Sequence, residues 1–146
     1  RLAQKTRKHL LARSWTPEQH PLPREEFKRK ETVTLRRIRT GGAVTPRFRY
    51  QMDLARLKKE QPYAVPPDPR CQRCQAEESI PRLKHLLWEC KALSTLRALI
   101  FSKMANHERP SKLQDWTHPA GDTPRKTRIL RSLLEYISEG GLGNSI

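Results

Sequence analysis

The twenty residues CQRCQAEESIPRLKHLLWEC, numbers 71 to 90, decide how this chain folds. All 3 cysteines of the 146-residue sequence lie there, with one of its 5 histidines, in the order Cys71, Cys74, His85, Cys90. Three thiols cannot pair off into disulfides, and a reducing compartment suits the composition. A tetrahedral zinc ion takes four soft or borderline donors, and three thiolates with one imidazole supply them. The two-residue gap between Cys71 and Cys74 lets a tight turn aim both sulfurs at one point. His85 is expected on a short helix opened by Ser79 and Pro81, with Cys90 just past its end. A redox pair is the competing reading of a CxxC, but that motif belongs to a βαβ context that the sequence does not offer. Four protein ligands leave no position for water, so the expected Zn2+ is structural rather than catalytic. Arg70, Arg73, Lys84 and Lys91 flank the ligands and are expected to favour their thiolate forms.

Outward from this segment the pattern is helical. Leu93, Leu96, Ile100, Phe101 and Met104 recur at the spacing of an amphipathic helix. After a loop-like stretch over 105–122, in which Ser111 caps a short turn and Trp116 anchors it, Thr123-Pro124 opens a last helix. Its apolar stripe is Ile129, Leu130, Leu133, Leu134 and Ile137, and Gly140-Gly141 stops it. On the other side, residues 61–70 hold four prolines and connect without helix. Thr45-Pro46 carries a cap-then-proline signal, with Phe48, Met52, Ala55 and Leu57 as the expected buried side. Pro23 is expected to open a helix through Phe27, Glu31, Leu35 and Ile38 that stops at Gly41-Gly42. Residues 14–23 carry three prolines and form a linker in which Trp15 and Leu22 latch onto the core, and residues 1–13 suggest one basic helix. No convincing alternating strand and no internal repeat is seen. The expectation is a mainly α fold: a basic helix and linker over 1–22, then a small helical domain over 23–146 stapled by a CCHC zinc knuckle.

Composition narrows the function. Hydrophobic residues are 35% and charged residues 31%, so the core is thin for the length. The formal net charge is +15, and 17 Lys/Arg against 6 Asp/Glu put +11 of it in residues 1–60. So steep an excess is the footprint of a phosphate-tracking surface, although a solvated basic face is the plainer reading of any charge run. No run of about 18 apolar residues predicts a membrane span. No signal segment opens the chain, which predicts an intracellular location, cytoplasmic or nuclear. A start at Arg1 suggests a fragment or a mature product of something longer. The 15 acidic residues are scattered among basic neighbours, and no assembled acid, base or nucleophile is visible. Neither catalysis nor a small-molecule substrate is expected.

Three further motifs carry a resemblance. The run LRRIRTGGAVTPRFRY (35–50), then CQRC (71–74), then RLKHLLWEC (82–90), resembles the C-terminal tail of non-LTR, LINE-type retrotransposon polyproteins, and looks most like arthropod, tick-transposon-like elements. The likeness covers about residues 20–140, and ILRSLLEYISEGGL (129–142) also looks like the closing helix of that family. The resemblance implies a zinc-binding, nucleic-acid-associated tail that follows reverse transcriptase and ribonuclease H domains, with Cys71, Cys74, His85 and Cys90 in the ligand positions. The polymerase and ribonuclease H motifs are not in this chain, so the parent activity does not carry over.

Two functional expectations result. The first is a binding module for RNA or DNA, in which Arg36, Arg37 and Arg39 at one helix end converge with Arg47 and Arg49 at the start of the next, and Phe48, Tyr50 or Trp88 stack on unpaired bases. The second is a structural or protein-interaction module that docks on the upstream retrotransposon domains.

Overall fold

The computed structural model describes residues 21–65, 68–75 and 81–146. The helix expected over 1–13, the Trp15 latch and the Ser79 start signal lie outside the described residues. Those described are mainly helical and include no strand, and none of their helices is long and apolar enough to cross a membrane.

Helix α1 spans Arg29–Thr40 and buries Leu35 and Ile38. It does not begin at Pro23, as the sequence suggested. Pro23 opens only a single 3₁₀ turn, Arg24–Glu26, after which Phe27 adopts an extended backbone and turns into the core. The helix restarts when the Lys28 N–H donates to the Glu31 carboxylate at 2.9 Å. What breaks it is the burial of Phe27 beneath Arg131, whose guanidinium lies 4.8 Å above the ring and bonds Glu31 at 2.6 Å and the Glu26 carbonyl at 2.7 Å. The stop is as expected, with Gly41 in the left-handed region at φ 70°.

Helix α2 spans Pro46–Glu60, with the Thr45 hydroxyl accepting from the Phe48 N–H. Of its expected buried side only Leu57 is covered, and that by half: Phe48 is 46% exposed, Met52 58%, and Ala55 also faces solvent. At 100° per residue the helix carries two narrow apolar stripes on opposite sides, Phe48–Met52–Ala55 and Tyr50–Leu54–Leu57. The fold takes the second, which is half-buried.

Helices α3 (Ser94–Ser102), α4 (Leu113–Thr117) and α5 (Thr123–Glu139) build the centre, with α3 and α4 packed on α5 and α4 also against α1. In α5 the stripe reads as expected, with Ile129, Leu130, Leu133 and Ile137 buried and Leu134 half-buried. Its cap is Asp122 rather than Thr123, through a carboxylate that accepts from the Arg125 N–H at 3.0 Å. The amphipathic run around α3 is longer than the helix, since Leu93 lies in the preceding 3₁₀ turn and Met104 beyond the end. Trp116 is completely buried, its ring edge-on to Phe101 at 5.0 Å and tilted against Tyr136 at 5.1 Å, while its indole N–H donates to Ser132 at 3.0 Å. Trp88, half-buried, joins the same aromatic cluster, 6.0 Å from Phe101. Past α5, Gly141 at φ 65° reverses the chain so that Leu142 and Ile146 bury their side chains in the same core.

Candidate metal centre

Two local backbone devices aim the four expected ligands at one point. The first is a turn in which the Gln75 N–H donates to the Cys71 carbonyl at 2.8 Å, folding Cys71 and Cys74 onto one side. It is closed by Gln75 at φ 52°, a left-handed conformation unusual for a residue with a side chain. The second is a single π turn, His85–Glu89, in which the Cys90 N–H reaches back five residues to the His85 carbonyl at 2.7 Å. Five residues along an α-helix would leave two side chains about 140° apart. The wider turn closes that angle and brings His85 and Cys90 to the same side.

The ligand atoms of Cys71, Cys74, His85 and Cys90 all lie within 4.8 Å of one another. The Cys71 and Cys90 sulfurs are 4.0 Å apart, too far for a disulfide, and none of the three cysteines is in one. Cys74 Sγ lies 3.5 Å from His85 Nε2. A tetrahedron with metal–sulfur bonds of about 2.3 Å and metal–nitrogen bonds of about 2.0–2.1 Å has edges of about 3.8 Å (S–S) and 3.5–3.6 Å (S–N). The donor set and these two edges fit a zinc-sized ion. Among the described residues no other group of three or more His, Cys, Asp or Glu side chains is close enough to do so.

The surroundings favour neutral imidazole at His85 and resist a free thiolate at Cys90. Burial holds the His85 pKa below its ordinary value, which leaves a ring lone pair for a metal at neutral pH. Burial pushes the Cys90 thiol up, so its proton has to be displaced by a cation. The flanking cations do less than expected. Arg70 is clasped by Asp68 at 2.7 Å, a pairing that lowers the Asp68 pKa to about 2, and Arg73 donates to the Gly141 carbonyl at 3.1 Å. Lys84 and Lys91 point to solvent.

The residue that sequence reasoning missed is Arg97, on α3. It is only 9% exposed, and it donates from Nη2 to the Cys90 carbonyl at 2.7 Å and from Nη1 to the Tyr136 hydroxyl at 3.0 Å. Tyr136, fully buried on α5, donates its hydroxyl to the Leu86 carbonyl at 2.5 Å, and burial raises its pKa. One cation and one phenol thus hold the backbone of the π turn and of a ligand. The signal was present: Arg97 lies on the apolar face of α3, between Leu93 and Ile100, where a charge is out of place.

The five arginines of the expected basic face are distributed differently. Arg36 and Arg37 are exposed on α1. Arg39 turns inward, donating from Nε to the Thr117 carbonyl at 2.9 Å, and burial lowers its pKa to about 10. Arg47 lies 5.6 Å from the centre of the Tyr50 ring and lines a cleft with Phe48 and Arg82. Arg49 donates to the Asn144 carbonyl at 2.5 Å and lines a separate groove of about 470 Å³, beside the Cys71 turn, with Tyr50, Arg70 and Arg73.

Compared with known proteins, the chain matches no family model, no curated protein and no solved structure.

Proposed function

We propose that this chain is a non-catalytic zinc-binding module that holds RNA or DNA on its basic surface. The carrying observation is the convergence of Cys71, Cys74, His85 and Cys90, whose ligand atoms lie within 4.8 Å of one another. Three thiolates and an imidazole are a zinc set, and four protein ligands close the coordination sphere, which makes the ion a staple in a CCHC knuckle rather than a reagent. Nucleic acid as the partner is supported by the net charge of +15 and by the exposure of Arg36 and Arg37. The groove beside the Cys71 turn adds Arg49, Arg70, Arg73 and Tyr50, although Asp53 and Asp68 on its wall offset part of that charge. The likeness of residues 35–50, 71–74 and 82–90 to retrotransposon tails points the same way, as does an intracellular setting for three cysteines that form no disulfide.

The test is metal analysis of the purified chain, followed by titration with a random-sequence oligonucleotide at two salt concentrations. One zinc per chain and an affinity that falls steeply with salt support the reading. A metal-free folded chain refutes the first half, and salt-independent or absent binding refutes the second.

A second reading is favoured by one observation. The Phe48–Met52 stripe of α2 is exposed on a helix that fully buries no side chain, as a surface for docking another protein domain would be. The upstream domains of a retrotransposon polyprotein are the partner that the sequence resemblance suggests.

A further inference from the structure

We infer that Arg97 is the counter-ion of the metal–thiolate centre. The inference rests on the metal reading above and adds to it a residue outside the four ligands. A guanidinium stays charged inside a protein, and a buried charge without an opposite partner is strongly destabilising. Arg97 is buried, yet its two hydrogen-bond acceptors are neutral: a backbone carbonyl and a phenol. The ion pairs among the described residues join other basic side chains to carboxylates: Arg56–Asp53, Arg70–Asp68, Lys103–Glu135, Arg131–Glu31, and Glu108 with Arg128 and His107. None includes Arg97.

The missing negative charge is supplied by the metal site itself. Three thiolates carry −3, a divalent ion +2 and neutral His85 nothing, so the loaded centre has a net charge of −1. Arg97 touches that centre at the backbone of Cys90, with Nη2 2.7 Å from its carbonyl oxygen. Centre and cation together are neutral. Because Arg97 also bonds Tyr136 on α5, the charge balance links metal loading to the packing of α3 on α5.

This differs from a merely structural role, in which Arg97 only ties carbonyl to phenol. A structural tie predicts equal damage whether or not the site carries charge. A counter-ion predicts that the damage follows the charge.

The experiment is a double-mutant cycle on the full chain, read by competition with a chelating zinc indicator and by the thiolate-to-metal absorption of the cobalt-loaded form. Arg97→Met is expected to weaken zinc binding by about 10- to 100-fold, the usual cost of removing an outer partner of a metal ligand. Arg97→Lys, which keeps the charge and loses the fork, is expected to retain most of the affinity. In a Cys74→His background the loaded site is neutral, and there Arg97→Met should change zinc affinity by no more than about twofold. Equal losses in both backgrounds, or equal losses for the Met and Lys variants, would overturn the counter-ion assignment. If Arg97→Met does not fold, the Lys variant decides, because a loss of 10-fold or more with charge retained also overturns it. A wild-type chain that binds no zinc refutes the metal reading and this inference with it, an outcome distinct from normal zinc binding with a misplaced charge effect.

Discussion

Arg39 and Thr117 are joined across 78 positions of sequence by a hydrogen bond of 2.9 Å, from guanidinium Nε to backbone carbonyl, which fastens the end of α1 to the end of α4. An arginine that the sequence placed on a phosphate-binding face is therefore used inside the fold. Arg39→Gln should lower stability by about 1 kcal/mol, the worth of such a bond, and leave oligonucleotide affinity unchanged. Arg36→Gln and Arg37→Gln should do the reverse, each lowering the slope of log K against log salt by about 0.7–0.9 with the melting transition intact. Anisotropy titrations at two salt concentrations, paired with thermal melts, check both halves.

The metal should be worth a large share of the folding free energy, because a thin core cannot replace it. Removing zinc with a strong chelator, or replacing Cys74 by Ser, is expected to abolish the cooperative thermal transition seen by circular dichroism. A melting curve unchanged by chelation would contradict this.

Gln75 is held at φ 52° by the turn that presents Cys71 and Cys74. A left-handed conformation costs a residue with a side chain about 1–2 kcal/mol, and glycine escapes that cost while losing roughly 0.5–1 kcal/mol to chain entropy. Gln75→Gly should therefore stabilise the zinc-loaded chain by about 0.5 kcal/mol, and Gln75→Val should destabilise it. Denaturant titration of the loaded forms measures both.

Glu108 is 8% exposed and accepts from Arg128 at 2.5 and 3.0 Å, which holds its carboxyl below the ordinary value of 4.5. A lowered folded-state pKa stabilises above the unfolded value and loses that contribution as pH falls through the folded one. Glu108→Gln should thus cost about 1 kcal/mol at pH 7, progressively less below about pH 4.5, and nothing once both forms are protonated. Unfolding curves of the two proteins between pH 7 and pH 3 should converge.

The sequence was legible where one pattern dominated. The α5 stripe could be read because its apolar positions recur without interruption, and the four metal ligands because no other arrangement uses three cysteines and a histidine so closely spaced. The missed features arise from competition between patterns. In α2 two apolar stripes of similar strength oppose each other, and only the packed fold selects Tyr50–Leu54–Leu57. Pro23 is a good helix start, but the burial of Phe27 under Arg131 outweighs it. The π turn at His85–Glu89 has no residue signature, since it follows from where Cys90 has to point. Arg97 looked like one more cation in a basic chain until its burial showed otherwise.

Among the described residues, the hydrogen bonds that tie helix α2 to the rest of the fold gather at its first turn: the Arg47 N–H to the Pro81 carbonyl and Arg49 to Asn144, beside the Thr45 cap. Beyond that turn it fully buries no side chain, Leu54 and Leu57 being only half-buried, and a 15-residue helix is marginal on its own in water. In deuterated solvent its amides from about Asp53 onward should exchange through local fraying, orders of magnitude sooner than those of α5, which open only when the whole molecule does. The chain would then show, on one covalent backbone, a body with slow isotope exchange and a charged arm with fast exchange. Slowing of the arm alone on adding a ligand would show directly which surface that ligand covers.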